Sequence, residues 1–149
     1  MTTQGTLTVT IDAPPDKVWP WVADLTKHPE YSPKPYEVEL VSGEPGKVGT
    51  RYRSVGAIPN DKHHGNEVEV VESVPNERFV LRADDDLGAF MNTYVLRPAG
   101  SGTKVSHTLV FPPLKGAPAM AVPILFPLVG KRDMRKRLQL LKAKVESTP

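Results

Sequence analysis

The alternation of a half-buried strand opens this chain at Leu7, Val9 and Ile11 and breaks once for helical spacing. It then returns in six successive segments before a closing helix. That order constrains the fold more than any single motif. Strands joined by short links build one antiparallel sheet, and a terminal helix with one apolar seam must bury that seam against the sheet. The order predicts an α+β chain, a seven-stranded curved antiparallel sheet wrapped round a long C-terminal helix. One or two short helices lie between strands 1 and 2, and a cavity is expected between sheet and helix.

Ala13-Pro14-Pro15-Asp16 ends the first strand, and proline in a first helical turn is tolerated because that N–H has no partner anyway. Val18, Trp19, Val22 and Leu25 follow at helical spacing, with Pro20 confining them to a short, bent segment. His28, Pro29, Tyr31, Pro33 and Pro35 then form a second short helix or a loop. Strands are predicted at roughly 36–41, 49–57, 66–74, 77–84, 89–98 and 103–112. The turn-forming sets Ser42-Gly43-Glu44-Pro45-Gly46, Pro75-Asn76 and Ala99-Gly100-Ser101-Gly102 separate them. A longer link from Pro59 to Gly65 is expected to form a loop at one mouth of the sheet. The last element starts within Ala119–Gly130 and runs to about Val145, with Met134, Leu138, Leu141 and Val145 as its buried seam.

The 149 residues are expected to form one domain, 1–149. A formal charge of +2 does not suggest wholesale nucleic-acid binding, and no nucleic-acid partner is predicted. The charge is unevenly placed: between Lys131 and Glu146 seven Lys or Arg face two acids, a local +5. With no cysteine, thiol catalysis, disulfides and cysteine-ligated zinc are excluded. The polar start lacks a signal-peptide pattern, and the apolar stretch Ala117–Gly130 is too short to span a bilayer, so a cytoplasmic location is expected.

The strand–helix–strands–helix order, with three segments, resembles the START-like (SRPBCC) superfamily of helix-grip, Bet v 1-like proteins, in its bacterial polyketide cyclase/dehydrase-like branch. The segments are Ile11-Asp12-Ala13-Pro14-Pro15-Asp16-Lys17-Val18-Trp19 with Asp24 and Tyr31, then Gly49-Thr50-Arg51-Tyr52, then the run from Tyr94 to Val105. Pro20 and the proline-rich stretch before the last helix depart from the usual pattern. The resemblance implies an internal cavity for lipids, fatty acids, polyketides or other hydrophobic molecules. Some members cyclise or dehydrate their ligand, and fold alone does not decide between binding and chemistry.

Alternation places Thr103, Val105, His107, Leu109 and Phe111 on one face of the last strand, and Phe90, Asn92, Tyr94 and Leu96 on one face of the strand before. Tyr52 shares a face with Thr50 and Ser54, which turns Arg51 and Arg53 toward solvent. Some polyketide cyclases of this fold are thought to use a pocket arginine with nearby hydroxyls, and by simple alternation these two arginines do not supply one. If the protein is an enzyme, His107 is the candidate proton-moving group. Otherwise it contacts a ligand, is satisfied by internal hydrogen bonds, or points outward after a bulge. Trp19 is expected in the core and Trp21 half exposed. Asp61, His63 and His64 lack a diagnostic ligand spacing, so no metal is predicted, and no cofactor.

Ala117–Gly130 combines Met120, Ile124, Phe126 and Leu128 with three prolines and a basic sequel. It reads as a gate touching an anionic membrane, as a homodimer contact, or as core under the sheet. The ligand-binding set expected from sequence is Tyr52, Phe90, Asn92, Tyr94, His107, Leu109 and Phe111, with Met120, Ile124 and Leu128 at the gate. The expected function is binding or transport of a small hydrophobic ligand. The alternatives are a cyclase or dehydratase, and a non-enzymatic interaction protein using the apolar and basic C-terminal segment.

Overall fold

The computed structural model describes residues 3–55, 66–85 and 87–149. The expected loop at Pro59–Gly65, with Asp61, His63 and His64, lies outside the described residues.

Seven strands form one antiparallel sheet: β1 (Gln4–Ile11), β2 (Glu37–Ser42), β3 (Arg51–Val55), β4 (Asn66–Val74), β5 (Arg78–Asp85), β6 (Gly88–Ala99) and β7 (Gly102–Val110). Their order across the sheet is β1-β7-β6-β5-β4-β3-β2, so the last strand pairs with the first and the other neighbours are consecutive in sequence. Asn76, with φ 65°, and Gly100, with φ 61°, occupy the left-handed region that the tight turns β4–β5 and β6–β7 require.

Between β1 and β2 lie α1 (Pro15–Ala23) and a 3-10 helix (Leu25–Tyr31). Pro15 opens α1 where a missing N–H costs nothing, and the helix runs three residues beyond Pro20. A helix leaves its last carbonyls without partners. Here the 3-10 helix supplies them: Tyr31 Oη donates to the Trp21 carbonyl at 2.9 Å, and His28 Nε2 to that of Val22 at 2.9 Å. Asp24 caps the 3-10 helix, its Oδ1 accepting from the Thr26 N–H at 3.0 Å.

The C-terminal helix is continuous from Ala117 to Glu146 but has three parts: α2 (Ala117–Leu125), a π turn (Phe126–Gly130) and α3 (Lys131–Glu146). α3 buries Met134, Leu138, Leu141 and Val145, the predicted seam, and the last three join a core that includes Ile11, Val18, Val22, Val70, Phe79, Leu96 and Val105. Its end is tied to β1, where Glu146 accepts from the Asp12 N–H at 2.8 Å and Lys142 donates to the Thr10 carbonyl at 2.8 Å.

The π turn begins beside a proline. Pro127 has no N–H to give, and the Lys131 N–H reaches back five residues to the Phe126 carbonyl. The Phe126 ring is buried in a slot bounded by two glycines. A Cβ on Gly130 would meet its Cδ1 at 2.2 Å, and one on Gly5 of β1 would meet its Cε2 at 2.9 Å. Of the apolar run 117–130, only Phe126 is buried. Met120 is 77% exposed, Ile124 66% and Leu128 67%, which removes the reading of this segment as core.

Candidate functional site in the sheet–helix interior

The inner face of β6 and β7 changes character along its length. At one end Leu96, Tyr94, Thr103, Val105 and His107 are buried; at the other Phe90, Asn92, Leu109 and Phe111 are only half-buried although they face the same way. The interior is thus packed at one end and reachable from solvent at the other. No register shift occurs in the pairings of β5 with β6, β6 with β7 or β7 with β1, so alternation runs through these strands unbroken. The two bulges lie elsewhere, in β2 between Leu40 and Ser42 and in β4 between Val70 and Glu72.

At the junction of the two ends sits a polar cluster. His107 and Tyr94 are directly opposite in the β6–β7 register, and their rings stack at 4.3 Å with 4° between planes. His107 Nε2 lies 2.8 Å from Asn92 Oδ1. With that oxygen accepting, the imidazole proton is on Nε2, and the buried Nδ1 is a bare acceptor without a partner among the described residues. The Tyr52 hydroxyl, on the inner face of β3, is likewise buried, with the Leu25 backbone beside it. A buried polar atom such as Nδ1 is rarely left unpartnered, and a ligand or water can complete it. The ring of His28 packs edge-on to Tyr94 at 5.7 Å and against Tyr31 at 5.1 Å.

Into this cluster α3 sends Arg137. Its Nη1 donates to the Tyr36 hydroxyl at 3.3 Å, with the guanidinium 5.7 Å from the centre of that ring. Arg51 and Arg53 point to solvent as alternation requires, so the inward arginine comes from the helix and not from the sheet. Sequence reasoning missed it. The available signal was its position three residues after Met134 and four before Leu141, on the flank of the apolar seam.

Electrostatically the cluster holds one permanent charge. Burial, helped by Arg137 and His28, pushes the His107 pKa down to about 3, and burial pushes His28 down to about 4. Burial also raises the Tyr94 pKa to about 12 and Tyr31 well above its ordinary value. Burial works against the charge of Arg137, but Tyr36, Tyr94 and Tyr31 outweigh it and hold its pKa above the ordinary value. Near pH 7 the site is a guanidinium among neutral rings. An imidazole with a pKa of about 3 is not an imidazolium that can act as an acid near pH 7, and it does not readily accept a proton there.

A second, apolar group lines the reachable end. Phe90 meets Phe111 at 5.1 Å, and Phe111 meets Phe126 of the π turn at 4.9 Å. Leu109 shares this face, whereas Met120, Ile124 and Leu128 stand on the outer side of α2, directed to solvent. Trp19 packs on the core edge-on to Phe79 at 5.8 Å, and Trp21 is half-buried with Lys27 Nζ 5.3 Å from its ring centre. A separate groove of about 920 Å³, lined by Pro15, Asp16, Arg78 and Arg97 among others, touches none of the polar cluster and reaches the inner face only at Leu96.

A curved sheet gripping a terminal helix, with aromatic walls and a few convergent polar groups, defines the helix-grip class of ligand-binding proteins. The chain belongs to the polyketide cyclase/dehydrase and lipid transport family, whose model matches residues 2–146. Its fold is that of TTHA0849 from Thermus thermophilus, 22% identical over 98% of this chain and 100% of that one, with a TM-score of 0.74. CV1439 from Chromobacterium violaceum is similar at 21% identity, with 98% and 99% covered and a TM-score of 0.72. Ara h 8.0201 shares the fold at 17% identity, with 99% and 100% covered and a TM-score of 0.71. No curated protein is significantly similar to the chain.

Proposed function

We propose that this protein sequesters a small hydrophobic molecule, a lipid, fatty acid or polyketide-like compound, between its sheet and terminal helix. The observation that carries this reading is the half-buried inward face of Phe90, Asn92, Leu109 and Phe111 beside the unpartnered Nδ1 of His107. Apolar burial supplies affinity there, at about 25 cal/mol per Å² removed from water, and the polar atoms set orientation. The low basicity of His107 favours binding over proton transfer. The test is to fill the space: Leu109→Trp should abolish uptake of a fluorescent fatty-acid probe while the protein stays folded by circular dichroism. Undiminished uptake by a folded Leu109→Trp protein would show that the ligand sits elsewhere.

A second reading concerns delivery. Met120, Ile124 and Leu128 recur every four residues on the exposed side of α2 and its π turn, and the spacing leads on to exposed Arg132, Arg135 and Lys136. Among the described residues no helix is long and apolar enough to cross a membrane, so α2 would lie on an anionic bilayer surface. Flotation with anionic vesicles at low salt, lost at high salt and in Ile124→Asp, is the expected result. A concentration-dependent dimer abolished by Ile124→Asp, without flotation, would assign the same face to a second copy.

A further inference from the structure

Arg137 is a buried-edge cation without a counter-ion. Six salt bridges join described residues, and none includes it. Acids on the neighbouring elements are engaged elsewhere, and the groups that act on its charge are the tyrosines Tyr36, Tyr94 and Tyr31. Asp133, one helical turn back along α3, pairs with Lys34 at 3.5 Å. Glu30, on the 3-10 helix, pairs with Lys144 at 3.6 Å. Asp24 caps its own helix through Thr26. What surrounds the guanidinium instead is a set of neutral rings, of which Tyr36 both accepts a hydrogen bond and offers its face.

A charge removed from water is costly unless it is paired, and one hydroxyl and one aromatic face make an incomplete partner set. A guanidinium presents five N–H donors in a planar fork, of which, among the described residues, only one on Nη1 finds a side-chain acceptor, the Tyr36 hydroxyl. The remaining donors match a planar, two-oxygen anion better than they match an alcohol or an ester. Arg137 and Tyr36 are both only half-buried, so an incoming group can reach them.

We infer that the molecule held in the interior carries a carboxylate, seated on the free donors of Arg137 with its apolar body directed toward Leu109, Phe90 and Phe111. This rests on the container reading above and narrows its ligand to anionic amphiphiles. The Tyr36 hydroxyl, which accepts from Arg137, can turn its own proton to the second carboxylate oxygen.

Matched ligands separate the inference from the reading beneath it. Isothermal titration of the full chain near pH 7 with dodecanoate, dodecan-1-ol and dodecyl phosphate is the experiment. Dodecanoate should bind at least about tenfold tighter than the alcohol, the effect of a charge-assisted hydrogen bond. It should also bind tighter than the phosphate. The acid-to-alcohol ratio should collapse toward one in Arg137→Met, which keeps an apolar stem, and recover in part in Arg137→Lys, with melting curves confirming that each variant is folded. Tyr36→Phe should lower the ratio by a smaller factor. Acid and alcohol binding equally would overturn the carboxylate seat and leave the container standing. A preference for dodecanoate that survives in Arg137→Met, or tighter binding of the phosphate, would also overturn it. Binding of none of the three would bring down both.

Discussion

The two halves of the terminal helix are covalently continuous and physically opposite. α3 buries four apolar side chains in a seam and ties its end to β1 through Lys142 and Glu146. α2 buries no residue and exposes Met120, Ile124 and Leu125. Average hydrophobicity would rank them the wrong way round, since α2 is the more apolar half. Position decides instead: a helix is held by where its apolar residues meet a neighbour, not by how many it has. The apolar face that α2 leaves uncovered is the one with room to act on something outside the protein. The π turn is the joint between them, and Phe126 is the pin, lodged between Gly5 and Gly130.

The sharpest way to break this contrast is one substitution in each half. Leu138→Ala, in the seam, should destabilise the protein by ~2–5 kcal/mol in chemical denaturation. A loss below about 0.5 kcal/mol, the surface range, would mean that α3 is not the anchored half.

Acid should act on the packed half next. His28 and His107 titrate lower in the folded protein, at about 4 and about 3, than in the unfolded chain, where the ordinary histidine value is 6.5. Below that value the unfolded chain takes up protons that the folded one refuses. Stability is therefore full above pH 6.5 and falls as pH drops toward the folded values. The slope is up to about 1.4 kcal/mol per pH unit for each histidine. Denaturation midpoints measured across this window, in the wild type and in His107→Gln, should show the variant with the flatter dependence.

At the joint, Gly130→Ala should cost ~1–3 kcal/mol, because its methyl group needs space the Phe126 ring occupies. If calorimetry gives no change, Phe126 is free to leave its slot. Smallest of all, Ile124→Ser on the exposed face should stay within about 0.5 kcal/mol of wild type.

The strand–helix order, the inward list on β6 and β7 and the α3 seam were legible because each rests on an unbroken local period. Tyr52 and His107 came out inward for that reason. The bulges at Val41 and Val71 fall on β2 and β4, on either side of β3, and leave the alternation of β3 itself intact. What was illegible depends on partners distant in sequence. His28 satisfies a carbonyl of α1, a role that exists only once the 3-10 helix folds back. Arg137 could not be told from its basic neighbours, because charge on a helix flank looks the same in sequence whether it meets water or Tyr36. The apolar run before α3 carries no period that separates core from surface, since Pro118, Pro123 and Pro127 alter the helix that would present it.

The central claim is that the interior takes up a small hydrophobic molecule, and native mass spectrometry of gently purified protein tests it most directly. The account predicts a one-to-one complex whose extra mass is released by solvent extraction and identified as a hydrophobic compound. A bare protein mass, with no uptake from a panel of fatty acids, lipids and aromatic polyketide-like compounds, would contradict it.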